Sequence, residues 1–378
     1  VDMELRNLQN NIVGQEASRL FARAEINMGV EAFRDSLYSL LKRNTFLNIK
    51  FENMLDTLGE ISRTDIRSLL GEWEKTTPLP FYSLGEPTLT KITNKGGEEF
   101  FVLKMLISNN SDYDGIIHMD IRKDGWWYQP LEDPRAKTKI EMPAHTSKEF
   151  VSVWEDQIRN VEINTMVSGN LPNIISQDIN NVKQERNKIV KDSIYILPES
   201  SFDLPGEIIV DNEDSTLFIL SAPPIVGLLP KWLDEVEETP FKYSGISWWR
   251  PPLQWTATTN DRYYGKYIRS AFVIKSGDGS QTATWKVPVP EVGQYDLYYH
   301  VFKDDELRWN NNLQGEYHFK VKYGSEVEDA YVNLRKANEG WEQLGSYYFD
   351  SDTIRVVLTD ECKLRSVTAD AVKIVKRY

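Results

Sequence analysis

The chain has 378 residues, with 44 basic against 57 acidic side chains, a net charge of −13, a sequence pI near 5.0 and a mean hydropathy of −0.47. That balance argues against a polyphosphate partner such as nucleic acid, which needs a basic footprint, and the length implies two or three domains rather than one core. No stretch approaches the ~18 unbroken apolar residues of a membrane-spanning helix, and the single cysteine, Cys362, rules out a disulfide within the chain.

The chain opens at Val1 without an initiator Met or a signal peptide, which reads as a processed or excised piece of something longer. Its first segment has helical periodicity. Phe33, Leu37, Leu40 and Leu41 recur at i, i+4, i+7 and i+8, and Phe51, Met54, Leu55 and Leu58 repeat the stripe. Gly59 suits a left-handed cap, Ser62 an N-cap for a further helix, and Ile66, Leu69, Leu70 and Trp73 one face of that helix. "TTPLP" at 76–80 stops it.

From Phe81 the period changes to 2. "PTLTKIT", the turn "NKGG" and "EEFFVLKMLISNN" read as a hairpin, and strand-like runs follow at the spacing of a β-sandwich. The polar stretch from Gln177 to Ser193 reads as a connector or an exposed helix. Beyond it, runs such as "ATWKVPVP", "QYDLYYHVF" and "EYHFKVKYG" are numerous enough for a two-sheet sandwich of jelly-roll type. "TATWKVPVPEVGQYDLYYHV" at 282–301 reads as two of its strands joined by a tight corner. In "GWEQLGSYYF", Trp341, Leu344, Tyr347 and Phe349 are expected to point inward.

Chemistry is sparse. The four histidines, His118, His145, His300 and His318, form no pair at metal-ligand spacing, and no His-Glu-x-x-His, Gly-x-Ser-x-Gly or phosphate-binding loop occurs. The acidic clusters "DNED" at 211–214, "KDDE" at 303–306 and "DSD" at 350–352 suit turns, and equally suit paired catalytic carboxylates. One composition stands out. Trp248, Trp249, Trp255, Tyr263, Tyr264 and Tyr267 fall close together, interleaved with Arg250, Asp261 and Arg262. Flat rings beside polar groups suit a sugar, whose C–H face packs on an aromatic while its hydroxyls bond to neighbours; the same rings also suit a core or a domain seam.

The last part, through "IIVDNED", "YYGKYIRSAF", "TATWKVPVPEVGQYDLYYHV", "GWEQLGSYYFDSDTIRVVL" and "VTADAVKIV", resembles the golvesin C-terminal or xanthan-lyase carbohydrate-binding-like domain. The resemblance implies a β-sandwich appended to a bacterial secreted or surface protein, with glycan binding as its role. The beginning, through "LFARAEINMGVEAFRDSLYSLLKRNTF" and "NIKFENMLDTLGEISRTDIRSLLGEWEKTTPLPFYSLG", resembles the helical tail of gluzincin-type zinc aminopeptidases. The middle, with "ISNNSDYDGIIHMDI", is similar to the immunoglobulin-like modules that follow such tails.

The expected architecture is multidomain and mainly β: a helical segment at 1–78, an immunoglobulin-like β-sandwich at 79–176, a connector at 177–203 and a golvesin-like, jelly-roll-like β-sandwich at 204–378. The expected function is that of a non-catalytic C-terminal region of a larger bacterial cell-envelope or periplasmic protein. Its partners would be a glycan or polymer and an upstream catalytic or membrane domain, with no cofactor, metal or nucleic acid. The ligand-binding candidates are Trp248, Trp249, Trp255, Tyr263, Tyr264 and Tyr267. A self-contained glycan-active enzyme using paired carboxylates and a purely structural spacer are the alternatives.

Overall fold

The computed structural model describes residues 21–45, 50–63, 78–123, 129–179, 181–186, 190–198, 206–221, 250–303 and 315–377, with positions 14, 17, 18, 48, 65, 242, 243, 245 and 246. The chain is mainly β and divides into two compact units, Val1–Phe202 and Asp203–Tyr378.

In the first unit a helical run at 21–28 leads into α1 (Val30–Arg43) and α2 (Phe51–Ser62). Phe33, Leu55 and Leu58 are buried together with Ala24, against Leu37 and Met54. Leu40 is buried too, but Leu41 is 54% exposed. At 100° per residue, i+7 returns close to the line of Phe33 while i+8 turns away from it. Gly59 does not end α2, which gains a further turn. The left-handed position is Arg63, with φ 52°, whose N–H donates to the Gly59 carbonyl. Ser62 is therefore the last helical residue rather than an N-cap, and the helix expected over Ile66–Trp73 lies outside the described residues.

The helical run does not stand alone. Ala22 and Ile26 pack on Ile116 and Met166 of the sandwich, and Arg23 pairs with Glu141 and Glu25 with Lys139. Short one-sided helices are marginal in water and gain stability from such docking.

The sandwich is built from β1 (Tyr82–Leu84), β2 (Thr88–Thr93), β3 (Glu99–Asn109), β4 (Gly115–Lys123), β5 (Gln129–Pro130), β6 (Lys137–Met142), β7 (Thr146–Trp154), β8 (Ile158–Asn164), β9 (Ile174–Asp178), β10 (Val182–Arg186) and β11 (Ser193–Pro198). One sheet runs β10-β2-β3-β7-β11 with β1 on β3, and the other β5-β4-β8-β9 with β6 on β4. The expected hairpin is β2–β3, closed by Gly97 at φ 85° and by the Asn94 side chain accepting from the Gly96 and Glu98 N–H groups. Leu103, Met105 and Ile107 meet Ile117, Met119 and Ile121 in the core. The stretch expected as a connector instead supplies strands: β10 pairs in parallel with β2, and β11 antiparallel with β7. Both are edge strands with mostly exposed side chains, so no alternating apolar pattern marks them.

The second unit comprises β12 (Glu207–Val210), β13 (Phe218–Ser221), β14 (Thr256–Thr259), β15 (Ser270–Lys275), β16 (Thr282–Pro288), β17 (Gly293–Val301), β18 (Glu316–Tyr323), β19 (Glu326–Asn333), β20 (Gly340–Phe349), β21 (Thr353–Thr359), β22 (Ser366–Ala369) and β23 (Val372–Lys376). Its sheets run β12-β23-β17-β20, β13-β16-β21-β18-β19 and β14-β15-β22. The segment 282–301 crosses the sandwich, since β16 lies in the five-stranded sheet and β17 in the four-stranded one. Trp285, Tyr295, Leu297, Tyr299, Phe319 and Phe349 fill the core between them.

One expectation reverses. Tyr347 and Phe349 do point inward, but Trp341 does not belong to this core. The register of β20 on β17 slips between Leu297 and Tyr298, so Gly345 faces Leu297 while Gln343 faces Tyr298. Leu344 is the extra residue and packs against the core, and beyond it the strand's alternation is inverted. Trp341 therefore sits opposite His300 on the outer face. Replacing the fully buried Trp285 with Ala should cost about 3–5 kcal/mol, whereas Trp341→Ala, which removes ring contacts on an outer face, should cost roughly 1–2 kcal/mol. Denaturant titration of both variants checks this, and equal losses would return Trp341 to the core.

Candidate ligand-binding face

Side chains alternate along a strand, so the residues between the buried ones on β17, Gln294, Asp296, Tyr298 and His300, share the outer face of the four-stranded sheet. Pairing with β20 adds Ser346 and Tyr348, the bulge turns Trp341 and Gln343 to the same side, and the pairing with β23 adds Lys373 beside Tyr298. From Trp341 to Tyr348 this row runs roughly 20 Å at the usual rise of a strand.

One end of the row is aromatic and positioned from below. His300 Nδ1 lies 2.8 Å from Oδ2 of Asp370, which is completely buried. The Tyr264 N–H donates to both oxygens of that carboxylate at 3.2 Å, and the indole N–H of Trp285 donates to the Asp370 carbonyl at 3.2 Å. With Nδ1 committed to Asp370, His300 keeps Nε2 for a second hydrogen bond. The Trp341 ring centre is 5.1 Å from both the Tyr264 and the His300 ring centres, and Lys373 Nζ lies 4.8 Å from it. The loop carrying Tyr264 needs Gly265, whose φ is +150° and where a Cβ would stand 1.9 Å from the Ile268 carbonyl oxygen.

The rest of the row is polar. Asp296 accepts from Gln343 Nε2 at 3.0 Å, from Ser346 Oγ and from Arg377 Nε at 2.9 Å. Tyr348 closes the far end, 60% exposed.

The aromatic run singled out by composition is divided by the fold. Tyr264 joins the face. Tyr263 is buried against Phe302, and Tyr267 is half-buried with Lys266 Nζ 5.7 Å from its ring centre. Trp255 packs against the core, its indole N–H buried without an acceptor among the described residues. Trp248 and Trp249 lie outside the described residues. Sequence reasoning missed Trp341, His300, Tyr298, Gln343 and Tyr348 as one surface. Alternation in "QYDLYYHV" carries the signal for β17, but the slip in β20 hides its half.

Residues 251–376 match the golvesin C-terminal domain. The match covers about one third of the chain, and β12 and β13 before it complete the sheets of the golvesin-type unit. Domains of this kind are non-catalytic, accessory and extracellular. Among solved structures, a Paenibacillus xanthan lyase is similar at 16% identity and TM-score 0.32, covering 80% of this chain and 27% of the lyase. A Bacteroides uniformis β-glucuronidase is similar at 12% identity and TM-score 0.22, covering 84% of this chain and 32% of the enzyme. The chain thus spans about a quarter to a third of the length of these structures. A comparison with curated proteins gives no match. Among the described residues no helix is long and apolar enough to cross a membrane, and no cluster of His, Cys, Asp and Glu is arranged to hold a metal ion.

Beneath the face of the golvesin-type unit lies a second acid. Burial, then the nearby charge of Asp370, pushes the Asp211 carboxyl up to about 9. Burial raises Asp370 too, but the imidazole of His300 and the Tyr264 N–H favour its charged form. Among the described residues Asp211 accepts from the Asn212 N–H at 2.8 Å and, with the Asn212 amide turned to satisfy both its ends, from that side chain at 2.8 Å; burial and the charge of Asp370 outweigh these bonds and keep the proton on Asp211. Glu213 goes the other way: burial would raise it, but hydrogen bonds from Lys242, Ser270 and Tyr243 outweigh burial and hold it below the usual range.

The folded pKa of Asp211 lies above its unfolded value of 3.8, so between about pH 4 and 9 the folded state keeps a proton that the unfolded chain releases. Its contribution is fully present below the unfolded value and is lost as pH climbs toward 9. Asp211→Asn should therefore gain on the wild type by up to about 1.4 kcal/mol per pH unit across this window. Melting curves of both proteins between pH 5 and pH 8, roughly inside that window, measure the difference. Parallel pH profiles would mean that Asp211 is ionised in the fold.

Proposed function

We propose that the golvesin-type unit is a non-catalytic module that holds a glycan strand along the outer face of its four-stranded sheet, within a larger bacterial cell-envelope protein. The observation that carries the reading is the row itself: rings at both ends, Trp341 with Tyr264 and Tyr348, and hydrogen-bonding groups between them, with His300 oriented by a buried carboxylate. Rings accept the C–H face of a sugar, and the amide, hydroxyl and imidazole groups suit its hydroxyls. An open face of this length suits a polymer better than a single sugar.

The aromatic run at 248–267 belongs to this reading through Tyr264, with Trp248, Trp249, Trp255, Tyr263 and Tyr267 as further candidates. The helical start's resemblance to the tail of zinc aminopeptidases supports a docking or orienting role beside a peptidase domain of the same protein. Its docking on the immunoglobulin-like sandwich through Ala22 and Ile26 is compatible with such a spacer.

Stacking and neutral hydrogen bonds give modest affinity, so short oligosaccharides should bind with Kd in about the micromolar to millimolar range. Tyr348→Ala and His300→Ala should each weaken retention on polysaccharide gels about ten-fold or more, with melting temperatures near that of the wild type for the exposed Tyr348. The same measurement on Trp248→Ala and Trp249→Ala tests the rest of the aromatic run. Full retention in both Tyr348→Ala and His300→Ala would move the site off this face and leave the spacer reading ahead.

A further inference from the structure

Resting on that glycan reading, we infer that the face takes an uncharged, hydroxyl-rich polysaccharide rather than an acidic one. The observation is the charge pairing of the outer face. Along its strands and their ends, the positive side chains in outward register are Lys373 and Arg377. Lys373 Nζ pairs with Glu207 at 2.9 Å, and Arg377 Nε with Asp296 at 2.9 Å. The His300 ring is held to the buried Asp370 carboxylate through Nδ1 at 2.8 Å.

Each cation is thus answered by a carboxylate of the protein, and each of those carboxylates by a cation. A uronate could reach Lys373 only by displacing Glu207, and both partners are well shielded, with side-chain exposures of 12% and 20%. Displacement would leave a shielded carboxylate unpaired, which is costly. Lys373 is also held over two rings, 4.8 Å from the centre of Trp341 and 5.4 Å from that of Tyr298, so moving it would give up both contacts. The chain's net charge of −13 adds a background that repels a polyanion.

Apart from the outer end of the Arg377 guanidinium, whose side chain is 58% exposed and pairs with Asp296 through Nε, what remains for a ligand is uncharged. Gln343 and Ser346 are exposed, the Tyr298 and Tyr348 side chains carry hydroxyls, and His300, bonded to Asp370 through Nδ1, keeps Nε2 as a further hydrogen-bonding group. These groups exchange hydrogen bonds with hydroxyls without needing a charge on the ligand.

The test compares the whole chain on a neutral β-glucan and on a polyuronate of similar length, at about 50 and about 200 mM salt. Glucan retention should change less than about two-fold between the two salt levels, and the polyuronate should bind at least about ten-fold more weakly. Asp296→Asn, which frees Arg377, and Glu207→Gln, which frees Lys373, should each raise polyuronate binding in a salt-sensitive way. Equal or tighter wild-type binding to the polyuronate, lost in Tyr348→Ala, would overturn the inference while leaving the glycan face standing. No retention of either polymer by the folded protein would overturn the glycan reading, and this inference with it. Asp296→Asn and Glu207→Gln both binding polyuronate no better than the wild type would show that pairing does not set the preference, and would overturn the inference alone.

Discussion

Asp370 sits without solvent exposure at the point where the core, the 263–269 loop and the outer face of the golvesin-type unit meet. A buried carboxylate is tolerable only if it is hydrogen-bonded and paired. Its partners are the His300 imidazole and the Tyr264 N–H, and its own carbonyl takes the Trp285 indole N–H. One residue therefore fixes a core ring, a loop and the imidazole of the outer face. The loop reaches it because Gly265 lets the backbone pass close to the Ile268 carbonyl. Were the carboxylate absent, the imidazole would lose both its tautomer preference and its direction, although the sandwich around it would still have a core.

The same carboxylate constrains its neighbour. Two acids sharing a shielded region do not both ionise, and the pairing of Asp370 leaves Asp211 to carry the proton. Glu213, two residues on, remains ionised because Lys242, Ser270 and Tyr243 all reach it. The "DNED" turn is thus neither a plain surface turn nor an open carboxylate pair facing water. A group held neutral at a cost to stability near neutral pH is the pattern expected where orientation outranks stability.

The sandwich character of the second unit was legible because β17 alternates strictly, Tyr295, Leu297, Tyr299 and Val301 inward with Asp296, Tyr298 and His300 outward. The strands β10 and β11 were not legible, because edge strands with exposed faces carry no apolar rhythm. The aromatic cluster at 248–267 drew attention by composition, yet composition cannot say that Tyr263 turns into a small core while Tyr264 turns out beside His300. Neighbouring residues of a loop part company there, and the contacts that hold them, such as Tyr264 with Asp370 and Tyr263 with Phe302, reach across the sequence, the first by more than a hundred residues.

The site's other half depends on a single inserted residue. Without the bulge at Leu344, the alternation that points Tyr347 and Phe349 inward would carry Trp341 inward as well, into a core already filled by Trp285 and Tyr299. A core at native packing density has no room for another indole, and overpacking is itself destabilising. The bulge turns Trp341 to the face and lets Leu344 fill against the core instead. Gly345 beside it is constrained in turn: a Cβ there would stand 2.7–2.8 Å from the Tyr347 ring and hydroxyl. A larger residue at 345 would push Tyr347, stacked on Phe349 with ring centres 5.8 Å apart, and so load the core to satisfy the strand. The outer face and the core are therefore coupled through two adjacent residues of β20, one inserted and one kept small, and the aromatic end of the face exists only while both hold.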